Sequence, residues 1–165
     1  LKTTFFKLAL ILLTLFFLWG ESNAGAAGIT GNIFYVSTTG SDSNPGTQSS
    51  PWRTIQKAAN TIAAGDTAIV NPGTYNERVS ITRSGSSDSP ITFQAQGVVG
   101  MKGFNIQANY VKVDGFEISN TAGSSPTDRS GGSGFYVSGS HNEITQNYVH
   151  NTTAAGIYLN ASNTS

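Results

Sequence analysis

GFYVSGSHNE (residues 134–143) and GIYLNASNTS (156–165) read as two copies of one phrase. A shift of 22 residues lays Phe135 on Ile157, Tyr136 on Tyr158, Val137 on Leu159 and Ser140 on Ser162. A shift of 31 does the same upstream: Phe104 falls on Phe135, Ile106 on Val137, Val113 on Ile144, Ile118 on Val149 and Asn120 on Asn151. Apolar positions survive both shifts while the residues between them vary, as repeated units require when each buries its apolar face against the next. The two periods agree if the longer one is a 22-residue turn plus a loop of about nine residues within TAGSSPTDRSGGSG (121–134).

From residue 67 onward the chain is a series of short runs of strand formers, such as TAIVNPGTY, PITFQAQG and YVKVDGFEIS, divided by Gly, Asn, Ser and Pro. No crossover helices separate them, which excludes a doubly wound sheet. Periods in the twenties mean a solenoid. Without a Leu-x-x-Leu-x-Leu pattern a leucine-rich horseshoe is disfavoured, and the expected fold is all-β, a parallel β-helix. Stacking at the strand spacing of ~4.8 Å would place Asn120 over Asn151 with their amides bonded along the axis. The same register sets Lys112 beside Glu143 on the outer face.

Before the strands, Ile33 to Val36 reads as a first strand and TTGSDSNPGTQSS as a loop. Ser50 as N-cap and Pro51 at the first helical position open a short amphipathic helix over 51–63. Its apolar stripe is Ile55, Ala58, Ala59 and Ile62, and Gly65-Asp66 ends it. An unclosed coil of strands leaves unpaired backbone groups at its end, and this helix is expected to cap the N-terminal one. The expected organisation is therefore 1–27 an export signal, 28–66 strand, loop and capping helix, and 67–165 the rungs.

The export signal rests on Lys2 and Lys7 as a basic start, Leu8 to Trp19 as an apolar run, and small residues at 22–26 for cleavage. The run falls short of the ~20 residues that span a bilayer, so the expected mature protein is secreted, extracellular and free of the membrane. Beginning at Leu1 and closing on Asn163-Thr164-Ser165, the chain reads as a piece of a longer reading frame. Seven basic and eight acidic residues remain after the signal, which argues against a nucleic-acid partner, since that needs a basic face. There is no cysteine, so packing and backbone hydrogen bonds must carry the stability.

The block FYVSTTGSDSNPGTQSSPWRTIQKAANTIAAGDTAIVNPGTYNERVSI (34–81) resembles the opening module of secreted right-handed parallel β-helix proteins, closest to the pectate lyases of polysaccharide lyase family nine. The likeness extends over nearly all of 34–160. It implies a right-handed coil and a monomeric enzyme that cleaves an acidic polysaccharide such as pectate by β-elimination. It also implies Ca²⁺ held by outer-face carboxylates and a Lys or Arg base that takes the C5 proton of a uronic acid. The segment TIQKAANTIAAGDTAIVNPGTYNERVSI is also similar to pectin methylesterases, whose paired aspartates and glutamine have no match here. A uronan epimerase and a non-enzymatic, adhesive glycan-binding β-helix share the fold and remain alternatives.

A hard cation needs six to eight oxygens, but Asp42, Asp66, Asp88, Asp114, Asp128, Glu77, Glu117 and Glu143 are scattered. Asp114 with Glu117 is the nearest thing to a pair, and no metal ligand or catalytic residue is assigned. Lys112 reads as a solvated outer residue, Arg129 as part of a loop, and His141 and His150 as corner residues. Tyr136 and Tyr158 coincide in the repeat between inward apolar positions, so alternation points both outward. Stacked exposed tyrosines offer a sugar an apolar face and a polar tip, which makes these two the candidate substrate-binding residues.

Overall fold

The computed structural model describes residues 31–160. The segment read as an export signal, its cleavage site and the Ser140/Ser162 correspondence lie outside the described residues. The elements run β1 Ile33–Val36, α1 Ile55–Thr61, β2 Thr67–Val70, β3 Gly73–Ile81, β4 Ile91–Ala95, β5 Val99–Ile106, β6 Val111–Asp114, β7 Glu117–Ile118, α2 Arg129–Gly132, β8 Phe135–Val137, β9 Glu143–Thr145, β10 Tyr148–Val149 and β11 Ile157–Leu159.

Every strand pair is parallel. One sheet has the order β1-β2-β4-β6-β9, and the other β10-β7-β5-β8-β11 with β3 also on β5. Strand β5 explains the second order. Gly100 and Met101 pair with β7 while Phe104 to Ile106 pair with β8, and β3 runs along both halves with an irregularity between Tyr75 and Arg78. The second sheet thus folds into two faces, and each turn of the chain crosses three: a parallel β-helix.

Both repeat periods are realised in the pairing. Phe135, Tyr136 and Val137 oppose Ile157, Tyr158 and Leu159, and the 31-residue shift holds for Phe104/Phe135, Ile106/Val137, Val113/Ile144 and Ile118/Val149. The difference lies in one corner: sixteen residues (119–134) join β7 to β8, whereas seven (150–156) join β10 to β11. Lys112 and Glu143 stand side by side as expected, 3.0 Å apart.

Corners repeat as faithfully as strands. Tyr110 and His141, then Gly115 and Gln146, then Asn120 and Asn151 are pairs 31 residues apart, and all six have positive φ. A left-handed residue turns the chain sharply from one face to the next. Asparagine tolerates that conformation better than most side chains. The bend also turns the side chains of Asn120 and Asn151 out to solvent, so the expected amide bond between them is replaced: Asn120 donates to the Ser119 hydroxyl. The axial amide bonds belong to Asn142 and Asn147. Asn142 accepts from the Val111 N–H and donates to the Ala108 carbonyl, and Asn147 serves Phe116 and Val113 in the same way, all at 2.9 Å.

Alternating inward residues fill the coil. Phe93, Phe104, Phe116 and Phe135 are fully buried, with Phe104 stacked on Phe135 at 5.6 Å and edge-on to Phe116 at 5.2 Å. The N-terminal helix is shorter than its sequence pattern. Trp52 is held in a parallel bridge to Val36 of β1, its N–H on the Tyr35 carbonyl and its own carbonyl on the Ser37 N–H. The chain is therefore extended there, and α1 starts after Thr54 rather than Ser50. The Thr54 hydroxyl caps it, accepting from the Lys57 N–H at 3.1 Å. Ile55, Ala58 and Ala59 are buried, as the stripe requires. Among the described residues no helix is long and apolar enough to cross a membrane.

Candidate functional site

On β8, Phe135 and Val137 point into the core and Tyr136 points out. The register continues Ser80, Asn105, Tyr136 and Tyr158 along the axis, so the two tyrosines meet face to face. Their ring centroids are 5.7 Å apart and their planes differ by 14°. The Tyr136 hydroxyl accepts from the Asn160 amide at 2.8 Å, which pins the ring.

The long corner 119–134 brings a cation to this ladder. Asp128 caps α2 by accepting the Gly131 N–H at 2.9 Å, and that bond, ahead of any other influence, holds its carboxyl below the usual range. Arg129, the first residue of α2, then places its guanidinium 5.6 Å from the Tyr158 ring centroid. A cation at that distance from a ring face is attracted by the aromatic quadrupole. Arg78 stands at the other side, donating to the Asn105 side chain at 2.9 Å and to the Lys102 carbonyl at 3.1 Å. Its half-burial draws the guanidinium pKa down, against the charge of Asp128. The contacts of Arg78, Asn105 and Asn160 escape sequence reading, because their partners lie more than twenty residues away.

The other half of the second sheet carries a groove of about 360 Å³ whose lining includes Thr74, Gly100, Lys102, Glu117 and Asn120. At its edge Glu117 meets the His150 ring at 3.1 Å, and His150 stacks on Tyr148. Asp114, the expected neighbour of Glu117, instead accepts the Thr145 hydroxyl at 2.7 Å. The Gly115 corner puts the two carboxylates on different faces. His141 stacks on Tyr110 and meets the Ser140 hydroxyl, a corner role like the one expected.

The model of one protein family, described as "Pel9A-like, right handed beta helix region", matches residues 34–165. The chain belongs to this Pel9A-like family. The Pel9A-like chain is 27% identical over 154 residues to pectate lyase L of Dickeya chrysanthemi, a match covering 79% of this chain and 34% of that protein. It is 40% identical over 78 residues to the uncharacterized protein YwoF of Bacillus subtilis (strain 168), covering 47% of this chain and 16% of the relative. Among solved structures, pectate lyase Pel9A superposes with a TM-score of 0.62 at 24% identity, over 78% of this chain and 36% of that one. The chain thus spans about a third or less of the length of these relatives.

The calcium that the family resemblance implies finds no cage in these rungs. Among the described residues no group of three or more Asp, Glu or His side chains could hold a metal. The carboxylates are engaged elsewhere: Asp42 with Arg53 and Thr54, Asp66 with Asn32 and Ala63, Glu77 with Ile55 and Gln56. These residues do not fit the ion.

Proposed function

We propose that the protein is exported and acts on an acidic polysaccharide such as pectate, as a pectate lyase-like enzyme cleaving by β-elimination. Within it the described rungs hold the glycan on the outer ladder of Tyr136 and Tyr158. The observation that carries this reading is the stacked, outward tyrosine pair with Arg129 beside it, in a chain of the Pel9A-like family. A sugar ring can lie on the apolar face of an aromatic side chain while its hydroxyls reach polar tips, and a guanidinium pairs readily with a carboxylate. The combination suits a polyuronate better than a neutral glycan.

Calcium dependence and a monomeric state belong to the same reading. The rungs described do not supply ligands for calcium. Helix α1 packs on β3 and β1 and in this reading covers the end of the coil, keeping its edge from pairing with another chain. A second reading, a β-helix that binds glycan without turning it over, is favoured by the dispersed carboxylates.

The test is incubation of the exported protein with polygalacturonate, following ultraviolet absorbance of the unsaturated product, with and without a chelator. Chelator-sensitive product formation supports the lyase. Binding without product on pectate, alginate and chondroitin leaves the adhesive reading in its place.

A further inference from the structure

One missing side chain opens the floor of the groove beside the ladder. Thr74, Gly100 and Glu117 lie in register along the axis on the outside of the coil. A Cβ built on Gly100 would meet nothing nearer than the Thr74 hydroxyl at 3.9 Å, and the residue is outside the left-handed region. Glycine is therefore not demanded there by the backbone or by packing, and its effect is a gap in an otherwise continuous row. The resulting volume of about 360 Å³ sits at the lower end of the ~300–1,000 Å³ typical of small-ligand clefts.

Its chemistry is specific. Lys102, two residues beyond Gly100 on the same strand face, lines the groove. Among the described residues its ammonium pairs with no carboxylate, the two ion pairs being Lys112 with Glu143 and His150 with Glu117. Glu117 is thus already engaged by His150. The Thr74 hydroxyl and the Asn76 and Asn120 amides complete a polar lining. One uncommitted cation among hydroxyls and amides matches a ligand with a single anionic group and several hydroxyls.

We propose that this groove is a second glycan site, distinct from the tyrosine ladder, which takes one uronate unit with its carboxylate on Lys102. The class of ligand rests on the proposed function; the site itself rests on the gap at Gly100 and the unpaired Lys102. Ladder and groove flank the corner 119–134. Ser119 and Asn120 at its start line the groove, and Arg129 near its end covers Tyr158.

The experiment is titration calorimetry of the full chain with digalacturonate and with a neutral digalactoside. The acidic disaccharide should bind at least about tenfold more tightly, the order of effect expected of one charge-assisted pair. Gly100→Val, which puts a branched side chain into the gap between Thr74 and Glu117, should abolish binding at the groove and leave only that of the ladder. Lys102→Gln, whose side chain makes no hydrogen bond to the fold, should erase the groove's preference for the acid, and Lys112→Gln, which removes an equal charge on the other sheet, should leave the binding in place. Unchanged binding in both Gly100→Val and Lys102→Gln, or an equal loss in Lys112→Gln, overturns the groove and leaves the proposed function standing. Binding that depends on Gly100 and Lys102 without turnover of polygalacturonate upholds the groove and removes the enzymatic reading.

Discussion

Tyr158 lies over Tyr136, one rung above it, with ring centroids 5.7 Å apart. The two are fixed there by strand register, since their neighbours Phe135 and Val137 must point inward. An outward aromatic pair is thereby built into the stacking of the coil.

Replacing Tyr158 with alanine should remove both the stacked ring and the surface under Arg129. The expected cost to polyuronate affinity is about 0.5–1.5 kcal/mol, read by affinity electrophoresis in pectate gels. Arg129→Gln should weaken pectate binding and spare neutral galactan. Equal retardation of wild type and both variants would refute the ladder as a glycan site.

Phe104 sits between Phe93, Phe116 and Phe135, fully buried. Truncation to alanine removes the ring shared by three neighbours and should cost about 3–5 kcal/mol. The midpoint of urea unfolding should fall accordingly.

Asn147 ties adjacent rungs through Phe116 and Val113. Asn147→Ala leaves both backbone groups without that partner, an expected loss of about 1–3 kcal/mol. By contrast Lys112→Ala breaks an exposed pair with Glu143 and should change stability by less than about 1 kcal/mol. Comparable destabilisation by the two would contradict the assignment of axial bonding to Asn147.

The entrance to α1 should respond to acid in two opposite senses. Burial alone would raise the Asp42 carboxyl, but bonds from the Thr54 N–H and hydroxyl and the Arg53 N–H outweigh it and hold the pKa below 3.8. The stability Asp42 contributes is present above that ordinary value and lost as pH falls through the depressed one. Burial raises Glu77 above 4.5 despite the Ile55 and Gln56 N–H groups. Its contribution is complete below 4.5 and lost as pH rises through the raised value. Urea midpoints measured across the acid range should therefore lose their acid limb in Asp42→Asn and their decline above 4.5 in Glu77→Gln. Curves parallel to wild type would reject the assignment.

Much of this was legible because stacking leaves a mark at fixed offsets. Phe104, Phe135 and Ile157 must all be apolar, since each covers the next, and the insertion in 121–134 shows as the difference between two periods. What sequence reading missed depends on atoms brought together across rungs. The helix began four residues late because Trp52 was bridged to Val36, a contact between segments that local cap signals do not register. Asn142 and Asn147 look no different from Asn120 and Asn151 in sequence. Their backbone angles decide which side chains turn inward to bond and which turn out.

By itself, then, the sequence determined the coil, its register and the outward pair Tyr136 and Tyr158, because burial of alternate apolar residues is a local, periodic demand. Only the tertiary structure decided what surrounds that pair. Arg129 reaches Tyr158 through the fold of a sixteen-residue corner, and the floor of the groove is open because Gly100 falls between Thr74 and Glu117 on neighbouring rungs. Such features depend on which side chain stands beside which absence, and that adjacency is created when the chain closes its turns.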